Sequence, residues 1–497
     1  MGIIIKQAIR STVFSYVGAG LGFLTVWFMN RLWLTPEQNG LLNVIISISL
    51  ISSSLSNLGM AGVVLRLFPH FRNPETKHSG FLFYPLSFTA IGSLIFLGVY
   101  FLLKDDFMAR NAGQSPLLAE NLYYLLPLTF FLGVFNVLDA FTRALFLSTA
   151  GVIIKEVALR IIILVAAACY HYHFINFEQF VLIYFGSFCA MALAMTGVLM
   201  AENEWHWKIP SSTLSPEMKK EMRDVAIFSV ITGLSGMMIS SIDKVIVNDC
   251  LGLAAAGVFS IATYFGSMIQ IPARSVIRIT ASVVAESWKS NDLENIRNIY
   301  SQSCLNQLII GLILLLALWV NIDSVIALMP AEYTEAKYVI FFMGLGYLID
   351  LATGANGAII GTSKYYRYDT LFMVLLVVFT IATNLFLIPR MGLVGSGIAS
   401  CLTYTLFNLM RLIFIRVKFK MQPYTFHFLK IIAIGATAYF ITSLIPTTGM
   451  HYMDIGLRGS IIFILYSVLI VTFNVSAEVN VILEKIKLTI GIKKPKV

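Results

Sequence analysis

The stretch Asn384–Leu412, NLFLIPRMGLVGSGIASCLTYTLFNLMRL, reads as the end of one apolar helix, a turn, and most of a second helix. Pro389 lacks the N–H a continuing helix needs, and Gly392 accepts backbone angles closed to other residues, so a tight turn is expected there. Past it, Gly395, Gly397, Ala399 and Ser400 are small enough to let the second helix lie close against a neighbour. Small residues at an interface are how helices associate inside a bilayer, where no water drives them together.

The rest of the chain fits that solvent. Over 497 residues only 12% are charged, and the mean hydropathy is +0.81, far more apolar than a soluble domain. Apolar segments of about 20 residues, enough to cross the hydrocarbon, recur from end to end. Fourteen are expected, near 11–32, 40–65, 79–102, 122–147, 151–170, 179–200, 225–247, 254–276, 300–320, 338–360, 370–388, 393–415, 428–445 and 457–473. The class that follows is an all-α polytopic membrane protein. The first segment is too long for a secretory signal and has no A-x-A site, so it reads as a retained helix.

The charge is +9, and its distribution sets the topology. With the N-terminus inside, and residues at span ends counted with the adjoining loop, 27 Lys and Arg fall on cytoplasmic segments and six on outer ones (Arg31, Lys104, Arg110, Lys337, Arg390, Arg458), while Arg160 and Lys244 lie deeper within spans. Such a bias places both termini in the cytoplasm and removes any need for a nucleic-acid partner. The longest polar connection, residues 201–224, divides the spans six and eight, and its PEMKKEM stretch is expected to form a short interfacial helix.

Enzyme chemistry lacks a motif. No nucleophile elbow, Walker loop or H-E-x-x-H occurs, and the seven histidines fall in loops or at span ends. Asp105 and Asp106 are adjacent, with no further carboxylate to complete a cation site. The five cysteines are scattered without metal-like spacing.

An ion held in the bilayer costs about 2.5–3.5 kcal/mol on insertion scales, so each one needs a partner, a cavity or water. In the seventh span Ser229, Thr232, Gly233, Gly236, Ser240 and Asp243 recur at helical spacing and form one small, polar stripe. The stripe faces either a cavity or a closely packed helix, with Asp243 turned along it and Lys244 leaning toward the headgroups. Asp139 and Arg143 stand at i, i+4 and can pair; Asp350 lies in the tenth span. Arg66, Lys155, Arg274 and Arg278 sit near the inner ends of the second, fifth and eighth spans. Headgroup anchoring accounts for them one by one, whereas together they could ring a vestibule suited to a diphosphate.

A repeat is also visible. LTPEQNGLLNVI (Leu34–Ile45) follows the first span and LGLAAAGVFSIA (Leu251–Ala262) the seventh, each a Leu, five residues, then a Gly opening an apolar helix.

The stretch Asn384–Leu412 resembles the eleventh-to-twelfth span hairpin of bacterial polysaccharide flippases, the O-antigen and capsule exporter family. NRLWLTPEQNGLLNV resembles that family's first-to-second turn, IDKVIVNDCLGLAAAGVFSIA its seventh-to-eighth, and LGMAGVVLRLF its second helix ending in an arginine. The resemblance implies the fold of the multidrug, oligosaccharidyl-lipid and polysaccharide exporter superfamily. That fold has two six-helix bundles around a cavity, here 1–200 and 225–416 joined by the linker 201–224, with two more helices and a basic tail over 417–497. It further implies a non-enzymatic flippase of the bacterial inner membrane that carries an undecaprenyl-diphosphate-linked oligosaccharide between leaflets by alternating access. No cofactor is implied beyond a driving proton or sodium gradient. The implied partners are membrane lipids and the polysaccharide polymerase and chain-length machinery. Arg66, Lys155, Arg274 and Arg278 would then engage the diphosphate, and Asp243, Ser240, Asp139, Arg143 and Asp350 would line the cavity or couple the ion. The related lipid II flippases carry arginines deeper in the first and eighth helices, but nothing basic lies between Gly18 and Met29 or between Gly257 and Pro272 here. Rival readings are a small-molecule drug exporter of the same superfamily and a membrane enzyme of polysaccharide assembly.

Overall fold

The computed structural model describes residues 2–73, 75–111, 113–206 and 215–476, and among these it is helical with no strand. Contacts divide the chain into two compact units, Met1–Ile261 and Ala262–Val497. The first holds α1 (Gly2–Phe28), α2 (Pro36–Ser56), α3 (Met60–Phe71), α4 (Phe83–Asn111), the short α5 (Pro116–Glu120), α6 (Leu125–Ala144), the short α7 (Ser148–Val152), α8 (Leu159–His171), α9 (Phe177–Ala201), α10 (Pro216–Leu251) and the start of α11 (Leu253–Ser267). The second holds α12 (Ile271–Lys289), α13 (Leu293–Val320), the short α14 (Ile322–Ala327), α15 (Ala336–Ala352), the short α16 (Asn356–Gly361), α17 (Tyr366–Phe419), α18 (Phe426–Ser443) and α19 (His451–Thr472).

Among the described residues, ten helices are long and apolar enough to cross a membrane. The expected count is larger for reasons visible in the backbone. In the first span the qualifying apolar run, Val13–Phe28, is short. The fifth is interrupted by a π-helical segment, Ile153–Ala158. The tenth is only the 17 residues of α15, and the eleventh and twelfth run together as the 54 residues of α17. Within α17 the chain breaks at Gly392, whose φ of 58° and ψ of −145° suit only glycine. The expected turn is there. Beyond it Gly395, Ser396, Gly397, Ala399 and Ser400 are all buried, and Gly397 leaves no room for a side chain against Val339 of α15.

Local sequence explains the helix ends. Thr35 and Gln38 form a reciprocal capping box in front of α2, with Pro36 in its first turn, and Asn176 and Gln179 do the same for α9. Two expectations are corrected. The second span does not run unbroken through residues 40–65: Leu58 and Gly59 take left-handed angles and split it into α2 and α3. PEMKKEM is not a separate interfacial helix but the opening of the 36-residue α10, capped by the Ser215 hydroxyl accepting from the Met218 N–H.

In unit 1, α2 packs on α6 and α10, and α3 on α6 and α10. The core of this unit is unusual in its serines: Ser47, Ser49, Ser52, Ser53, Ser54 and Ser56 of α2 are all buried. Small side chains bring the backbones close, and that contact replaces the hydrophobic drive which lipid cancels. In unit 2, α15 packs on α13 and α17, while α18 and α19 lie against α13.

A loop histidine also proves structural. His78 is 2% exposed, lies edge-on to Phe68 and Phe141, and accepts the Asn73 N–H at Nδ1. That leaves Nε2 to donate to Glu204, 2.6 Å away at the end of α9. Lys77, His78 and Ser79 hold φ near +52° to reach it, a backbone cost that only a fixed partner sustains. His78→Ala is expected to cost about 1–3 kcal/mol, since it strands the Glu204 carboxylate. An unchanged midpoint in thermal unfolding would refute this role.

Candidate functional site

In unit 1 the site begins at α3. Met60, Val63, Val64, Leu67 and Phe68 are buried, so Arg66 falls on the opposite, exposed face. Its guanidinium has no hydrogen-bond or ion-pair partner among the described residues. A cation left unpaired on so apolar a chain requires water or an anion.

Along α10 the polar stripe divides in two. Ser229 fills the notch left by Gly62 of α3, and Gly233 faces the Ser54 hydroxyl of α2, so this half is close packing. Further on, Gly236 meets nothing within 4 Å, Ser240 is exposed and Asp243 is half-buried. The Ser240 hydroxyl donates to the Met237 carbonyl at 3.0 Å. Only this second half leaves its face open.

The repeat-related segments meet. A Cβ added to Gly40 of α2 would overlap the Leu253 carbonyl of α11, and one added to Gly257 would overlap the Pro36 carbonyl. Each glycine faces the residue four before its counterpart, as a two-fold relation demands. Around this contact the Asn39 amide donates to the Gly257 carbonyl at 3.1 Å. Asn248, 1% exposed, donates to Asn111 and accepts from the Ser115 hydroxyl, both at 3.0 Å. The seam lies at the end of unit 1 where α10 passes into α11.

Toward the other end, Arg143 pairs with Asp139 at 3.2 Å as the spacing predicts. The Asp139 carboxylate stands where a Gly151 side chain would be, within electrostatic reach of Lys155 as well. Lys155 is exposed. Arg160 pairs with Glu156 at 2.9 Å, and its guanidinium occupies the space beside Gly22 of α1. The side chains of Arg274 and Arg278 lie outside the described residues.

Unit 2 holds a buried polar network that sequence reasoning caught only at Asp350. The Asp350 carboxylate accepts from Gln270 at 3.1 Å and from Asn408 at 3.0 Å. Asn408 in turn accepts from Thr353 at 2.7 Å and Asn356 at 2.9 Å. Arg411, 7% exposed, donates to Asn356 at 3.4 Å, pairs with Asp369 at 2.5 Å and lies over the Phe407 ring at 4.1 Å. Two carboxylates therefore share one cation, with Asp350 held by neutral amides. Asn408 and Arg411 lie in the stretch Asn384–Leu412, but nothing in the chain near them points to Asp350 or Asp369, 58 and 42 residues earlier.

No family model matches the chain, and no curated protein matches it. Solved structures do. The lipid II flippase MurJ in an inward closed conformation superposes with a TM-score of 0.72 at 13% identity, over 94% of this chain and 98% of that one. An inward-facing multidrug-resistance MATE transporter of the MOP superfamily superposes at 0.62 and 13% identity, over 84% and 98%. A MOP superfamily transporter from Pyrococcus furiosus, described as having a binding pocket of reversed polarity, gives 0.54 and 14%, over 83% and 95%. At these identities the likeness is one of fold, and this chain has the fold shared by the MurJ flippase and the MATE transporters.

Proposed function

We propose that this protein is a flippase of the bacterial inner membrane, with both termini cytoplasmic, that moves an undecaprenyl-diphosphate-linked oligosaccharide from the inner to the outer leaflet by alternating access. The repeat unit of an O-antigen, capsule or exopolysaccharide is the substrate class, and the polymerase and chain-length machinery of that pathway are its partners. One observation carries the reading: the flippase fold accounts for 94% of the chain where the drug-exporter fold accounts for 84%, a difference about the size of α18 and α19. That comparison also weighs against the rival small-molecule exporter.

In this reading Arg66 is the first cation to meet the diphosphate, with Lys155, Arg274 and Arg278 behind it. The open half of the α10 stripe, Ser240 and Asp243, meets the sugar head, and Asp139 with Arg143 closes the inner end. The seam at Gly40 and Gly257 is the outer barrier that must part. Asp350 is the group a driving proton or sodium ion would neutralise, because neutral amides hold its carboxylate while Arg411 pairs directly with Asp369.

The test is a leaflet assay with labelled lipid-linked oligosaccharide. A charge-assisted hydrogen bond to phosphate is worth about 1.5–3 kcal/mol, so Arg66→Ala should slow translocation about 10- to 150-fold, with Arg66→Lys in between. Wild-type rates from a well-inserted Arg66→Ala protein would remove the role given to that residue.

A further inference from the structure

Between α13, α15 and the start of α18 runs a groove of about 690 Å3, within the roughly 300–1,000 Å3 of small-ligand sites. Leu312 and Leu348 form its floor, Phe426 and Leu429 its outer wall, and among the described residues the polar side chains that line it are Tyr424 and Thr425, at the mouth. The wall faces outward, with Phe426 71% and Leu429 62% exposed. Ser301 of α13 donates to the Pro423 carbonyl at 3.1 Å and so pins the mouth to the groove. Burial pushes the Tyr424 phenol up to about 12, and it remains a hydroxyl donor at any physiological pH.

The charges that the chain segment forming this mouth carries are basic. The Lys430 ammonium stands 5.7 Å above the Phe426 ring, which places it on the groove's rim. Lys418 and Lys420, both exposed, lead into the mouth, and no Asp or Glu occurs between Asp369 and Asp454. An apolar slot that takes a chain, hydroxyl donors at its opening and lysines beyond them match the parts of a charged lipid in that order. An unfilled slot would forfeit the dispersion contacts of its lining.

We propose that this groove binds one anionic glycerophospholipid, with an acyl chain along Leu312, Leu348 and Leu429 and its phosphate held by Lys430 and the Tyr424 and Thr425 hydroxyls. The site is independent of the flippase reading and gives α18, the first of the two C-terminal helices, a task of its own.

Native mass spectrometry of the full chain in detergent tests it. Phosphatidylglycerol, phosphatidylethanolamine with the same acyl chains, and a polyprenyl phosphate are titrated separately and in competition. A lysine near an anionic lipid surface contributes about 1 kcal/mol, or roughly fivefold. The expected result is one tightly held phosphatidylglycerol, at least fivefold over phosphatidylethanolamine, with that preference lost in Lys430→Gln. Leu429→Trp fills the slot from its exposed side and should weaken binding at least tenfold; if it fails to fold, Ile432→Trp replaces it. Equal binding of the two phospholipids overturns the proposal, as does wild-type binding by Lys430→Gln or by the tryptophan variant. Displacement of phosphatidylglycerol by polyprenyl phosphate overturns it too, and would assign the groove to the carrier lipid.

Discussion

Gly257→Ala is expected to slow translocation about 5- to 150-fold while leaving the amount of inserted protein unchanged. The added methyl would overlap the Pro36 carbonyl, a backbone atom that cannot swing aside as a flexible side chain would. The helix openings must separate, and overpacking of this kind costs about 1–3 kcal/mol. In a transporter that cycles between two states, that cost falls on the state in which the outer seam is closed and is absent from the other. A difference of 1–3 kcal/mol moves the equilibrium by about 5- to 150-fold, which is the expected loss of flux. Gly40→Ala should behave in the same way, since its methyl would overlap the Leu253 carbonyl. Gly186→Ala in α9, with nothing within 4 Å and outside the proposed site, is the control and should retain the wild-type rate. Ala256 is fully buried beside the seam, so Ala256→Cys, in a chain stripped of its own cysteines, reports the opening to a membrane-impermeant thiol reagent. Should Gly257→Ala flip at the wild-type rate with that cysteine still shielded, the seam is ordinary packing and not a barrier.

The seam also shows how much the sequence discloses. Spacing alone related Leu34-x5-Gly40 to Leu251-x5-Gly257, because a shared structural demand leaves a shared pattern; that the two copies face each other required coordinates. Helical segments and the turn at Gly392 were legible for a similar reason, since hydropathy over 20 residues and the conformational demands of proline and glycine act locally. The break between α2 and α3 was not legible, as Leu58 is an apolar residue in a left-handed conformation and hydropathy passes straight through it. Nor were the buried serines of α2, whose polarity suggests a water-facing stripe when they are instead the means of close approach. Asp139 and Arg143 were paired correctly because one helix holds both. Arg411 gave no such signal, because nothing in the chain near it announces Asp369, 42 residues before. Long-range polar pairing is the part of a membrane protein that composition and periodicity leave out.

Arg411 is accordingly where the largest loss of stability is expected. Its guanidinium joins Asp369 of the same long helix α17, across the Gly392 turn, to Asn356 of α16, and it packs on the Phe407 face. Arg411→Ala leaves Asp369 without its cation, and breaking a buried pair from one side costs about 3–5 kcal/mol. In a membrane protein this should appear as a large fall in yield and melting temperature. Two further variants separate charge from packing. Arg411→Met keeps most of the contact with Phe407 but still strands the carboxylate, so it should recover little. Arg411→Met with Asp369→Leu removes both ions, and replacement of a whole buried pair by apolar groups is often neutral, so it should regain most of the lost stability. The same double variant leaves Asp350 with its two amide donors, Gln270 and Asn408, intact. If Asp350 couples the driving ion, the double variant should therefore fold and still translocate, whereas Asp350→Asn should fold and translocate without responding to an imposed proton or sodium gradient. A double variant as unstable as Arg411→Ala would show that the network is held by its exact hydrogen bonds rather than by charge balance.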